Sequence, residues 1–224
     1  MVGIGDQIRF ACKGTSVMSN VERLKLEKVG PIRCADLELG DLTVLVGPQA
    51  TGKSIFLQFL KLALDVGYVH EQLRRHGIDW DGAVDAFLNV YLGACMESVW
   101  RTSGARSTFA VNKEPQDLER YATVRKRKKE ATAFYIPAQR VLSLANGWPR
   151  PFQGFAGTDP FVLRDFSESV RLLLEQEFSA TADLFPKTKR LKSEYRELLR
   201  KHVFGEFELK VDRYGPQKQL VLSS

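Results

Sequence analysis

Long apolar runs, cysteines and histidines are all scarce in this sequence, and each shortage excludes something. No stretch approaches the ~20 consecutive apolar residues that a membrane-spanning helix needs. The opening Met1-Val2-Gly3-Ile4-Gly5-Asp6 lacks the charged-then-apolar pattern of a secretory leader. The three cysteines, Cys12, Cys34 and Cys95, are odd in number and far apart, which argues against a disulfide framework and for reduced thiols. The three histidines, His70, His76 and His202, have no metal-ligand spacing, and neither do the cysteines. The expected location is cytoplasmic, with no membrane partner.

What remains is an ordinary globular composition. With 224 residues, 44% hydrophobic and 27% charged, the chain can bury a sizeable core as one large or two small domains. A net charge of +6 is a modest excess, but it is unevenly placed. Arg125-Lys126-Arg127-Lys128-Lys129 forms a basic run between two patterned segments. Such a run suits a nucleic-acid backbone, although a solvated hairpin end is the more ordinary reading.

The strongest chemical signal is Gly47-Pro48-Gln49-Ala50-Thr51-Gly52-Lys53-Ser54, which fits the phosphate-binding pattern G-x-x-x-x-G-K-[ST]. Successive backbone N–H groups in such a loop curl around phosphates, the lysine reaches the β and γ oxygens, and the hydroxyl faces a magnesium ion. The context agrees. Leu42-Thr43-Val44-Leu45-Val46 reads as a buried strand feeding the loop, and Ser54 to Asp65 reads as a glycine-free helix leaving it. Lys53, Ser54 and Ile55 then fall in the first helical turn, where free N–H groups and the positive end of the helix dipole favour an anion. Lys53 is the expected catalytic cation and Ser54 the expected Mg²⁺ ligand. Gln49 and Ala50 offer mainly backbone.

Around the loop, Val21–Glu27 and Ile32–Leu39 alternate apolar and charged residues across a Gly30-Pro31 turn and predict a strand pair. Residues 68 to 100 read as mainly helical, with Gly93 as a stop. Thr108–Lys113 has the composition of a short strand closed by Pro115, with Leu118–Val124 as its returning partner. Ala131-Thr132-Ala133-Phe134-Tyr135-Ile136 reads as a buried strand ended by Pro137, leaving Gln139 and Arg140 just beyond it. Ligands in open α/β sheets gather at strand ends. Gln139 there would orient water or magnesium and Arg140 would neutralise phosphate charge, against the plainer reading of a polar pair closing a loop.

Ala145 to Phe152 reads as an irregular aromatic loop, because its prolines and glycine break both periodicities. Phe166–Phe178 and Lys187–His202 read as helices, and Glu206–Arg213 with Gln217–Leu222 as a terminal hairpin.

The leading strand pair with Val29-Gly30-Pro31-Ile32, the run Asp41 to Pro48, the loop itself and Tyr135-Ile136-Pro137-Ala138-Gln139-Arg140 together resemble the ABC-type AAA ATPases of the SMC, RecF and OLD-nuclease group. The matching pieces lie in family order between about residues 21 and 140. Gln49-Ala50-Thr51 stands where the family frequently has Asn-Gly-Ser. The resemblance implies a single α/β P-loop NTPase domain, an ABC-ATPase-like head lobe with a mixed sheet, antiparallel hairpins and a helical insertion. Residues 21–66 would carry the strand pair, loop and helix, 67–130 the helical and hairpin insertion, and 131–224 the strand, aromatic loop, helices and terminal hairpin. It also implies ATP and Mg²⁺ as cofactors and a head-to-head dimer in the complete protein. Hydrolysis would be coupled to a DNA-related or defence-type activity. The absence of an Asn-Lys-x-Asp guanine-reading motif supports adenine.

Family members also carry a serine-glycine signature and an apolar strand ending in Asp-Glu, and neither occurs here. The expectation is an N-terminal portion of a longer ATPase that binds nucleotide without appreciable turnover by itself. Two other classes stay open. A P-loop kinase or nucleotide-transferring enzyme would need carboxylates near the loop, for which Asp159, Asp165 and Glu168 are the clustered candidates. A nucleotide-independent interaction module would carry the loop as a vestige.

Overall fold

The structure is a computed structural model that describes residues 21–123, 128, 130–178, 208–214 and 217–223. These fall into two compact units, one reaching to Tyr135 and including Gly157–Phe161, the other formed by Ile136–Ala156 and Val162 onward.

In the first unit, β1 (Arg23–Val29) and β2 (Ile32–Glu38) form the expected antiparallel pair, in the register Leu24↔Leu37 and Val29↔Ile32. The chain turns at Gly30, whose φ of +52° suits a residue without Cβ. Strand β3 (Thr108–Val111) joins the free edge of β1, and the two-residue β4 (Glu114–Pro115) follows it, giving the order β2-β1-β3-β4. Alternation does the sorting: Leu24, Leu26 and Phe109 are buried on one face, while Arg23, Lys25 and Asp36 remain partly exposed on the other. Val29, out of step after Lys28 at φ +56°, is buried as well.

Helix α1 (Lys53–Arg75) buries Phe56, Phe59 and Leu62 from its first half. The Phe59 ring meets Phe109 edge-on at 5.5 Å and stacks on Trp100 at 6.1 Å. Its second half enters an aromatic cluster with α2 (Val84–Leu92), in which His70 lies 4.6 Å from Trp80 and Phe87 stacks on Tyr91 at 5.8 Å. Between the halves, Asp65 leaves helical geometry (φ −135°, ψ 22°) and kinks the helix.

Some expectations are corrected. Leu42–Val46 is not a buried strand: it pairs with no described residue, and Leu42, Val44 and Val46 are 66%, 67% and 90% exposed. Its apolar pattern is real, but a strand needs a neighbouring edge, and the described sheet supplies none to it. Ala131–Ile136 is likewise no strand, and Phe134 and Ile136 are exposed. The described part of the expected Leu118–Val124 strand, Leu118–Thr123, does not return as a strand; Val124 lies outside the described residues. β4 already makes that return, and Leu118–Thr123 forms α3, at whose start the Asp117 carboxylate accepts the Glu119 N–H at 3.0 Å.

In the second unit, the segment expected to be irregular holds a small hairpin. β5 (Leu144–Ala145) and β6 (Trp148–Pro149) pair around Asn146-Gly147, both at positive φ, as a two-residue hairpin turn requires. Helix α4 (Phe161–Phe178) starts five residues before the expected Phe166 and lies in this unit from Val162 onward. The terminal hairpin is present as β7 (Glu208–Tyr214) and β8 (Gln217–Ser223). The expected helix Lys187–His202 lies outside the described residues. The described chain is thus a mixed α/β structure whose strand pairs are all antiparallel, and no described helix is long and apolar enough to cross a membrane.

Candidate phosphate-binding site

The loop Gly47–Gly52 runs into α1 as the motif requires, with Lys53 as the first helical residue and Gly52 as its N-cap. Two of its residues are left-handed: Ala50 at φ +62° and Gly52 at φ +93°. At Gly52 glycine is required twice over, because a Cβ there would stand 2.5 Å from the Ile32 side chain at the start of β2. Ala50 adopts the same region with a Cβ, at a cost of about 1 kcal/mol. That is where the resembled family frequently places glycine.

The first intrahelical bond is Phe56 N–H to Gly52 O at 2.9 Å, so the N–H groups of Lys53, Ser54 and Ile55 have no helical acceptor. No acidic side chain occupies the first turn, and Ser54 is exposed there. Lys53 folds back over the loop. Its ammonium donates to Gly47 O at 2.8 Å, to Pro48 O at 2.5 Å and to Thr51 Oγ1 at 3.3 Å, while Thr51 donates to Pro48 O at 3.0 Å. The loop therefore gathers free N–H donors, one cation and one hydroxyl in a single exposed turn, an arrangement suited to an anion.

Gln139 and Arg140 belong to the second unit. Gln139 precedes the 3-10 turn Arg140–Ser143, both side chains are exposed, and the Arg140 carbonyl accepts the Ser143 hydroxyl at 2.5 Å. Of the carboxylates considered for a kinase, Glu168 is committed to Arg171 at 2.7 and 3.0 Å and to the Phe152 N–H at 3.0 Å.

Below the loop lies a feature the motif does not contain. Ser54, Gln58, Lys61 and Asp65 fall along one stripe of α1, and the last three are buried. Residues 128 and 132–135 lie along this stripe, the latter running toward the loop end of the helix. Asp65 accepts the N–H groups of Thr132 and Ala133, Lys61 donates to Ala133 O at 2.6 Å, and the Gln58 amide reaches the Tyr135 hydroxyl. Burial alone would push the Asp65 carboxyl up. Hydrogen bonds from Lys128, Lys61 and the two backbone amides outweigh it and hold the carboxyl at about 2. Lys128, the described member of the basic run, is thereby an ion-pair partner at 2.7 Å.

Sequence reasoning passed over this stripe. The available signal was three polar residues at helical spacing inside the otherwise apolar stretch 55–65, Gln58, Lys61 and Asp65. Elsewhere, an open hollow on the polar face of the sheet is lined by Arg23, Lys25, Asp36 and Lys113. Arg23 is already paired with Asp36 and Lys25 with Glu27. Among the described residues no group of three or more His, Cys, Asp and Glu could hold a metal ion. Comparison with protein-family models, curated proteins and solved structures gives no match.

Proposed function

We propose that this chain binds the phosphates of ATP, with Mg²⁺, at Gly47–Ser54, as part of an ABC-type ATPase head. The observation that carries the reading is the loop's geometry: left-handed Ala50 and Gly52, three N–H groups without helical acceptors, and Lys53 directed into the turn. Gly47 to Gly52 would supply the backbone cradle, Lys53 the cation on the outer phosphates, Ser54 the metal hydroxyl and Ile55 a further N–H. Bound magnesium would neutralise phosphate charge. The chain's own residues hold and orient the nucleotide.

The roles of Gln139 and Arg140 rest on analogy with phosphoryl transfer alone, because the strand expected to end at Ile136 is not there, whereas ABC-type membership and adenine preference rest on resemblance. So do a head-to-head dimer and a DNA-related or defence-type coupling in the complete protein. A kinase is disfavoured by the commitment of Glu168 to Arg171 and Phe152.

Calorimetric titration with ATP, with and without Mg²⁺, tests the proposal. Binding that Lys53→Ala abolishes is the expected result. No binding, or binding indifferent to Lys53→Ala, returns the chain to the interaction-module reading.

A further inference from the structure

Helix α1 carries the phosphate loop on one half and is anchored by the aromatic cluster on the other, and Asp65 stands where the two halves meet. Its carboxylate is fully buried and fully used. Oδ1 accepts Lys128 Nζ at 2.7 Å and Thr132 N at 2.7 Å, and Oδ2 accepts Lys61 Nζ at 2.9 Å and Ala133 N at 2.9 Å. Two bonds to each oxygen exhaust what a carboxylate can accept in good geometry. Lys61 adds its own bond to Ala133 O, and Lys128 also donates to Leu64 O at 3.3 Å and to Thr132 Oγ1. The non-helical dihedrals occur at the residue whose side chain is pinned from both sides. A side chain drawn into such contacts is a recognised cause of a kink.

We propose that Asp65 is a positioning residue for the phosphate loop, fixing the direction of the Lys53–Leu64 half of α1 by holding its kink against Thr132 and Ala133. The consequence for nucleotide rests on the phosphate-binding reading above, while the mechanical role does not. Twelve residues separate Asp65 from Lys53, roughly 18 Å at the helical rise, so a swing of ~10° at the kink displaces the loop end by about 3 Å. Displacements of ~1 Å are enough to cost large factors where groups must converge on one ligand. Phe59 meets Phe109 of the sheet by apolar contact, and Phe56 and Leu62 are buried on the same half of the helix; apolar contact resists separation better than rotation. The ionic clamp supplies direction.

Two readouts on Asp65→Asn and Lys128→Gln test this. The second variant keeps the Lys61 pair and changes a side chain that is 38% exposed, so it remains informative if the first does not fold. Amide hydrogen exchange is expected to rise across residues 53–64 relative to 66–75, and Mg²⁺-ATP affinity to fall about tenfold or more. Lys128→Arg, which keeps a cation on Asp65, is expected to hold both near wild type. Folded variants that bind Mg²⁺-ATP within about twofold of wild type, with only a lower melting temperature, overturn the proposal. If the wild-type chain binds no nucleotide, the phosphate-binding reading falls instead. The positioning role is then decided by exchange alone, and unchanged exchange across residues 53–64 overturns it.

Discussion

Gly52 of the phosphate loop and Ile32 of β2 approach so closely that a Cβ on Gly52 would lie 2.5 Å from Ile32 Cγ1. This contact seats the loop against the hairpin that precedes it in the chain. Gly52→Ala must therefore push Ile32 aside and also hold alanine at φ +93°, at a combined cost of about 2 kcal/mol or more. In a double-mutant cycle with Ile32→Ala the steric part should be recovered and the conformational part retained, read by thermal unfolding. Strict additivity of the two single changes would contradict this contact.

Ala50 gives the opposite sign. It sits at φ +62° without needing its methyl group for any packing seen in the loop, and it is exposed. Ala50→Gly is expected to relieve about 1 kcal/mol of strain in the loop conformation, partly offset by greater freedom of the unfolded chain. The expected outcome is unchanged or slightly tighter ATP binding with a melting temperature within a few degrees of wild type. A marked loss of affinity would mean that the left-handed conformation is not the binding one.

Acid should loosen the Asp65 clamp. The folded carboxyl titrates at about 2, below its ordinary 3.8, so its contribution to stability is complete above roughly pH 4 and is lost as pH falls through 2. The contribution is on the order of 2 kcal/mol, read as a fall in denaturation midpoint between pH 4 and pH 2. Asp65→Asn should flatten that part of the profile while lowering stability at neutral pH, since it leaves Lys61 buried without its carboxylate.

Lys113 offers a test of the sheet. It stands at φ +72° in the turn between β3 and β4, beside Asn112 at φ +52°. Asn112 N donates to Arg23 O, and its side-chain oxygen accepts the Glu22 and Arg23 N–H groups. Lys113→Gly is expected to stabilise by a few tenths to about 1 kcal/mol, and Asn112→Ala to destabilise by about 1 kcal/mol or more, because two backbone donors lose their acceptor. Equal effects of the two changes would contradict this division of roles.

Turnover is the remaining expectation. The sequence contains neither a serine-glycine signature nor an apolar strand ending in Asp-Glu. On the proposed ABC-type reading, in which those two motifs complete the hydrolytic site, the purified chain is expected to bind ATP with negligible Mg²⁺-dependent hydrolysis, measured as phosphate release. Steady hydrolysis abolished by Lys53→Ala would overturn that expectation.

The legible parts of this chain were those written locally. The β1–β2 pair, the loop and the terminal hairpin each depend on residues within a few positions of one another, and alternation or a fixed spacing declared them. Leu42–Val46 shows where such reading stops, since its apolar pattern says what the side chains prefer and nothing about whether a partner edge is at hand. The Asp65 clamp failed to show for another reason. Its contacts to Lys128 and Ala133 span 63 and 68 residues, a distance over which no spacing rule operates. The Asn146-Gly147 turn was signalled by its residue types, but Pro149 and Pro151 nearby suggested a break where β5 and β6 need only two residues each.

Lys53 already has acceptors of its own in Gly47 O and Pro48 O. On the proposed reading, an arriving phosphate would enter an exchange: the ammonium would surrender two carbonyls to gain anionic oxygens. Net affinity would register the difference between those two sets of bonds, so changes that weaken the carbonyl contacts would tighten binding without touching the nucleotide. The loop's hold on its own lysine would then be a control on affinity distinct from the phosphate contacts themselves.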